Sequence, residues 1–204
     1  GALPENAAAV KSFVSTEMAR AIASAYGAAT FDVPTGFKYI AEKIQQFEDT
    51  GTHTFVFGFE ESFGYLSGTQ VRDKDGVNAC MLIAETAAYY KKKGMTLYDA
   101  LMGLYEKYGW YLEKTMSHTL TGKDGQAKIA EIMRSLRENP PAEVAGLKVL
   151  AVRDYLEGTR TAGGKAEPID FPTINALYYE LENSAWTAIR PSGTEPKVKL
   201  YVGI

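Results

Sequence analysis

Apolar residues run with few breaks from Ala7 to Val14, a pattern that predicts a strand, and Ser15-Thr16 then offers an N-cap. Met18, Ala19, Ile22, Ala23 and Tyr26 recur at helical spacing before Gly27 closes the run, so the first unit reads strand then helix. The unit repeats. Ala29 to Val33 predicts a short strand, Pro34-Thr35-Gly36 a turn, and Phe37, Ile40, Ala41, Ile44 and Phe47 a second amphipathic helix. A third strand is predicted from Thr54 to Phe59. Strands alternating with helices imply an α/β fold with a mainly parallel sheet covered by helices, whose binding loops gather at the carboxyl ends of the strands.

After a predicted loop from Glu60 to Lys74, the apolar positions Val77, Cys80, Met81, Ile83, Ala84 and Ala87 mark one long helix. Thr96-Leu97-Tyr98-Asp99 opens another that runs to Tyr108-Gly109. Lys91-Lys92-Lys93 precedes Gly94 at a helix end, where cations complement the helix dipole, and reads as a solvated cap. Trp110 to Thr121 alternates loosely like a strand, and Gly125 to Leu136 carries Ala127, Ile129, Ile132, Met133 and Leu136 at helical spacing. Asn139-Pro140-Pro141 breaks the pattern and is the expected domain boundary, giving domains 1–138 and 139–204. Beyond it, Lys148 to Tyr155, Ile174 to Leu181, Ala185 to Arg190 and Lys197 to Val202 are strand-like, so the second domain is expected to be mainly antiparallel sheet. Gly158 to Pro168 is polar and rich in glycine, and predicts a mobile loop. The last run ends in an alternating strand pattern at Ile204 with nothing to cover it, so a cut boundary is expected there, and with it some tendency to self-associate. Gly1-Ala2 has the look of an expression scar.

With 204 residues, 46% of them hydrophobic and 23% charged, the chain can build a real core, and a disordered or fibrous reading falls away. A formal charge of -3 supplies no broad positive field, so no nucleic-acid partner is expected. No apolar run approaches the ~20 residues of a membrane span, so no membrane partner is expected either. A single cysteine, Cys80, cannot form an internal disulfide, and this points to a cytoplasmic protein.

Candidate chemistry concentrates in two segments. Arg190-Pro191-Ser192-Gly193-Thr194-Glu195-Pro196-Lys197 lies between two strand-like runs and combines what a phosphate site needs. Arg190 can fork onto two oxygens, Ser192 and Thr194 supply hydroxyls, Gly193 lets backbone N–H groups come close, and Lys197 adds a point charge. The order is not that of a P-loop, and a tight turn using proline and glycine for geometry would look the same. Gly58-Phe59-Glu60-Glu61-Ser62-Phe63-Gly64-Tyr65 follows the third strand, where a parallel sheet presents ligand contacts. Side chains alternate along extended chain, so Glu60 and Ser62 should face one way, an acceptor pair suited to sugar hydroxyls, and Glu61 the other. Solvated loop charges are the plain alternative.

Arg72-Asp73-Lys74-Asp75-Gly76 has the D-x-D-G of a calcium loop, but its twelfth position, counted from Asp73, is Ala84 and not a bidentate glutamate. Asp75 reads instead as the N-cap of the long helix, leaving Lys74 to meet an anionic ligand. His53 and His118 are isolated and read as surface or structural residues.

Taken in this order, the Gly58–Tyr65, Arg72–Gly76 and Arg190–Lys197 segments resemble the α-D-phosphohexomutases, especially bacterial phosphoglucomutase and phosphomannomutase. The likeness extends from Ala7 through Thr35-Gly36-Phe37-Lys38 to Ile204. It implies a four-domain parent of which this chain is most of the third domain, an α/β unit, and part of the fourth, a smaller α+β domain with an antiparallel sheet. It further implies that Glu60 and Ser62 bind sugar hydroxyls beside a loop at Thr35 and Gly36, that Arg190, Ser192, Gly193, Thr194 and Lys197 hold the substrate phosphate, and that Lys74 lies near the reacting groups as a catalytic residue. The reaction implied moves a phosphoryl group between the 1- and 6-positions of a hexose, through a bisphosphorylated sugar and a phosphoserine. Its Mg2+ ligands and serine loop lie in N-terminal domains of the same polypeptide. No metal site is expected in this chain: Ser117-His118 is followed by Thr119-Leu120 without the family's proline, and no triple-aspartate run occurs. The partners implied are hexose phosphates and those missing domains, with a glucose or hexose bisphosphate as activator, and the chain alone should be inactive. A phosphopentomutase-like parent, a non-catalytic phosphosugar- or anion-binding module, and a purely structural protein are the rival readings.

Overall fold

The computed structural model describes residues 3–121, 124–193 and 195–204. Contacts divide the chain into one unit ending at Tyr111 and a second beginning at Leu112.

In the first unit, β1 (Ala7–Ser12), β2 (Ala29–Val33) and β3 (Thr54–Glu60) are parallel, and β4 (Gly64–Ser67) returns antiparallel along β3, giving the order β2-β1-β3-β4. The expected loop after Glu60 therefore contains a strand. Its pairing of Glu60 with Gly64 closes a turn of only three residues, too short for alternation to register in sequence. Crossover helices α1 (Met18–Ala25) and α2 (Phe37–Thr50) connect the parallel strands. Ile40, Ile44 and Phe47 lie four and three residues apart on α2 and bury one stripe against Ala8, Val10, Phe55 and Leu66. The cap expected at Ser15-Thr16 is modest: Thr16 Oγ1 accepts from the N–H of Met18 at 3.2 Å, while Glu17 occupies the cap position. α3 (Gly76–Lys92) is capped by Asp75, whose side chain accepts from the N–H of Asn78, as the sequence implies. Lys91 and Lys92 lie in its last turn, and α4 (Leu97–Tyr108) opens on a full capping box between Thr96 and Asp99.

The second unit is an antiparallel sheet in the order β5-β12-β11-β10-β7-β8-β9, built from β5 (Glu113–Thr119), β7 (Leu147–Asp154), β8 (Thr159–Ala162), β9 (Lys165–Pro168), β10 (Leu177–Leu181), β11 (Trp186–Pro191) and β12 (Lys197–Gly203), with β6 (Glu143–Val144) alongside β7. Helix α5 (Gly125–Glu138) carries Met133 into a core with Leu177, Tyr179 and Leu181.

Three expectations change here. The division falls after Tyr111 and not at Asn139, because β5 hydrogen-bonds along the whole of β12 and so belongs with a strand whose paired residues come 78 to 90 positions later. Gly158 to Pro168 is not a mobile loop but the hairpin of β8 and β9, whose Gly163 and Gly164 adopt positive φ at its turn. β12, read as an uncovered final strand, lies between β11 and β5 and has both edges paired, so it offers no free edge for self-association.

Candidate functional site

The first group of residues stands at the carboxyl ends of the parallel strands. Gly36 follows β2 with φ 116 and ψ 124, a conformation open only to glycine, and this turns its N–H outward as α2 begins. That N–H donates to Glu60 Oε2 at 3.3 Å. Glu60, the last residue of β3, is only 9% exposed. Across the turn, a Cβ on Gly64 would stand 2.9 Å from Glu60 Oε1 and 2.7 Å from Lys74 Cδ, so glycine at this position leaves the two side chains side by side.

Lys74 reaches this point from the segment before α3. Its Nζ lies 2.9 Å from Asp73 Oδ1 and 5.2 Å from the centre of the Phe37 ring. The hydrogen bond that its ammonium donates to Asp73 raises its pKa above the ordinary lysine value, with a further contribution from the charge of Glu60. Asp73 is correspondingly lowered by its hydrogen bonds from Lys74. The D-x-D-G pattern is thus used up by an ion pair at Asp73 and a helix cap at Asp75.

Glu61 diverges from Glu60: its Oε2 accepts from Ser12 Oγ at 2.6 Å, at the carboxyl end of β1. Ser62 and Phe63 lie in the turn and are exposed, because β3 ends at Glu60 and the strand rule that paired Ser62 with Glu60 does not extend past it. Thr35 is half-buried beside Gly36. The structure thus brings Gly36, Glu60 and Lys74 together, with Ser62 at the tip of the adjoining turn.

The second group lies on the connection from β11 to β12. Pro191 pairs with Val198, the Ser192 N–H donates to the Lys197 carbonyl at 2.7 Å, and the Lys197 N–H donates to the Glu195 carbonyl at 2.7 Å, closing a tight turn. Among the described residues, its chain neighbours apart, nothing lies within 4 Å of where a Gly193 side chain would begin, which leaves an anion an approach to the backbone there. Thr194 lies outside the described residues. Arg190 Nε donates to Tyr201 Oη at 3.3 Å, and Tyr201 is buried at 1% exposure, which anchors the guanidinium from behind. Lys197 Nζ pairs with Glu195 Oε2 at 2.9 Å, so part of its charge is already compensated.

Sequence reasoning passed over Lys199. The register places it directly opposite Arg190 on one side and Ser117 on the other, so two cations and a hydroxyl share one row of the sheet. Among the described residues no carboxylate pairs with Arg190 or Lys199. Like charges directly opposite are unfavourable in a bare sheet, and an anion between them relieves the cost. The only sequence signal was the alternation from Lys197 to Lys199.

Elsewhere in the first unit an apolar hollow of about 680 Å³ is lined by Phe57, Tyr65, Cys80 and Ile83, among others, and offers little to a charged ligand. Among the described residues no three His, Cys, Asp or Glu side chains gather as a metal site, and no helix is long and apolar enough to cross a membrane.

Comparison with known proteins bears on both groups. The model of the phosphoglucomutase/phosphomannomutase alpha/beta/alpha domain III matches residues 1–108, and that of the phosphoglucomutase/phosphomannomutase C-terminal domain matches residues 132–203. The chain belongs to the phosphoglucomutase/phosphomannomutase family. A phosphoglucomutase of Staphylococcus aureus (strain MRSA252) is 42% identical over 197 residues, covering 96% of this chain and 35% of the relative. One of Staphylococcus haemolyticus (strain JCSC1435) is 38% identical over 204 residues, covering 99% of this chain and 37% of the relative. The chain thus spans about a third of the length of the curated phosphoglucomutases it matches. Among solved structures, the open form of parafusin, a phosphoglucomutase from Paramecium, matches with a TM-score of 0.63 over 97% of this chain and 32% of that one, at 18% identity, a likeness of fold. The first of the two matched phosphoglucomutase/phosphomannomutase domains carries Gly36, Glu60 and Lys74, and the second carries Arg190 to Lys199.

Proposed function

We propose that this chain is the substrate-recognition half of a phosphohexomutase that interconverts hexose 1-phosphate and hexose 6-phosphate through a bisphosphorylated sugar and a phosphoserine. The observation that carries the reading is Arg190, held by buried Tyr201 beside Lys199 at an open backbone turn, with no carboxylate against either cation among the described residues. Such a row of donors suits a phosphate dianion. Arg190, Ser192, Gly193, Thr194 and Lys197 are its proposed contacts, joined by Lys199. Glu60 and Ser62 are the proposed readers of sugar hydroxyls, beside the Thr35-Gly36 loop.

A mutase has to hold either phosphate of its intermediate at one fixed point while the sugar turns over, so holding and transferring groups are separate. This chain supplies the holding part. Lys74, with its raised pKa, stays an ammonium and is suited to donating to a phosphoryl or hydroxyl oxygen instead of accepting a proton. The Mg2+ implied by the resemblance does not fit the residues present, since among those described none gather to hold it. Its ligands, the serine donor and the bisphosphate activator are assigned to the remaining domains, and the chain alone is proposed to bind without turning over. The parent is proposed to act on glucose or mannose phosphates in the cytoplasm.

An NMR titration with glucose 6-phosphate, glucose 1-phosphate and sulfate tests the reading. All three ligands are expected to shift Arg190 to Lys199, an effect lost in Arg190→Ala, and only the sugars to shift Glu60 and Ser62. Absence of shifts at Arg190 to Lys199 at millimolar ligand would overturn it.

A further inference from the structure

Lys11, near the end of β1, is 0% exposed. An ammonium is tolerated there only if acceptors surround it. Its Nζ donates to the Ser15 carbonyl at 3.0 Å, the Ser12 carbonyl at 3.4 Å and Glu17 Oε1 at 2.9 Å, and lies 3.0 Å from Asp32 Oδ1 as an ion pair without hydrogen-bond geometry. Arg20 joins the same two carboxylates from the other side, with Nε 2.7 Å from Glu17 Oε2 and Nη2 2.5 Å from Asp32 Oδ2. Burial pushes the Glu17 pKa upward, but the pull of Lys11 and Arg20 prevails and holds it below the ordinary value.

Two of the acceptors of Lys11 are backbone carbonyls, that of Ser12 at the end of β1 and that of Ser15 in the loop after it, so the buried ammonium fixes the end of the strand and the start of the loop. At that fixed strand end Ser12, itself 1% exposed, touches Ser15 Oγ at 2.8 Å and donates to Glu61 Oε2 at 2.6 Å. A hydroxyl on a carboxylate is a charge-assisted bond, stronger and more directional than a neutral one. Glu61 begins the three-residue turn that carries Ser62, and Phe63 completes it at φ 65, a conformation an aromatic residue does not favour. The turn is therefore tied at Glu60 to the loop after β2 and at Glu61 to the carboxyl end of β1.

We infer that Glu61 is a positioning residue: anchored through Ser12 to the Lys11 cluster, it holds the turn in the one geometry in which Glu60 and Ser62 meet the sugar hydroxyls. This rests on the sugar-reading role proposed above for those two residues. Holding the turn beforehand removes an ordering cost that a free loop would meet on binding.

The test measures the affinity of the 204-residue chain for glucose 6-phosphate and for inorganic phosphate by NMR. The wild type is expected to prefer the sugar phosphate. Ser12→Ala and Glu61→Ala are each expected to lose about fivefold in affinity for glucose 6-phosphate and nothing for inorganic phosphate. The double variant should lose no more than either single one, and Ser12→Thr, which keeps the hydroxyl, should restore the preference. Glu61→Gln, which keeps an acceptor and the side-chain volume, guards against misfolding and should fall between wild type and Glu61→Ala. Full sugar preference in both alanine variants, or losses that add in the double variant, would overturn the positioning role while leaving the sugar site intact. A wild type that binds both ligands equally would instead overturn the sugar site, and the positioning role with it.

Discussion

Gly64 keeps Lys74 beside Glu60. A single methyl at position 64 would come within 2.7 Å of Lys74 Cδ and 2.9 Å of Glu60 Oε1, closer than any real Cβ contact. The lysine stem is flexible, so the chain yields there before the fold does. Gly64→Ala is accordingly expected to leave thermal stability nearly unchanged, to displace the Glu60 and Lys74 resonances, and to weaken glucose 1-phosphate binding about fivefold. Unmoved resonances at Glu60 and Lys74 would contradict this account.

The row of Arg190, Lys199 and Ser117 makes a separate prediction. Lys199→Ala is expected to weaken phosphate binding about threefold to tenfold, and Arg190→Ala by about tenfold or more. Arg190→Lys should recover only part of the loss, because a lysine keeps the charge without the planar fork. Added salt should weaken wild-type binding more than that of either alanine variant, as isothermal titration at two ionic strengths would reveal.

Glu180 of β10 accepts from Arg160 and Arg153 at 2.6 to 2.8 Å. The bonds from Arg160 foremost, and the one from Arg153 after them, outweigh burial and hold its pKa at about 2, against an ordinary 4.5. A depressed carboxylate stabilises the fold fully above its unfolded pKa, and that stabilisation disappears as the pH falls from about 4.5 to about 2. Glu180→Gln is expected to cost about 1 to 2 kcal/mol at neutral pH, allowing for solvent screening of a half-buried cluster, and to flatten the acid limb of the stability curve. Parallel acid limbs in denaturant melts of the two proteins would refute it.

Lys11→Met would remove the charge between Glu17 and Asp32 while filling its volume. Two carboxylates would then share Arg20 alone, at a cost of about 3 kcal/mol. Hydrogen exchange along β1 should accelerate accordingly, and unchanged protection there would argue that the cluster is of little consequence to the fold.

The alternation of apolar runs sufficed for β1, β2 and β3 and for the amphipathic stripe of α2, because each is decided by period within a few residues. Asp75 and Thr96 were legible as caps for the same reason, since their partners lie three residues away. The hairpin of β8 and β9 was not, because its strands are four residues long and mostly polar, with β9 fully exposed, so neither period nor hydrophobicity marks them. The division after Tyr111 was hidden by distance: β5 reads as a weak strand until its partner β12 is known.

Residue types and local spacing determined which side chains could hold a phosphate or a sugar hydroxyl, since arginine, serine, glycine and glutamate carry that chemistry wherever they stand. What they could not reach is what depends on register and on through-space contact. Lys199 faces Arg190 only once β11 and β12 are paired. Glu61 finds Ser12, 49 positions earlier, only once three parallel strands bring their carboxyl ends together. The backbone period is local and written in the chain, whereas the meeting of a strand end with a distant turn is made by the sheet that carries both.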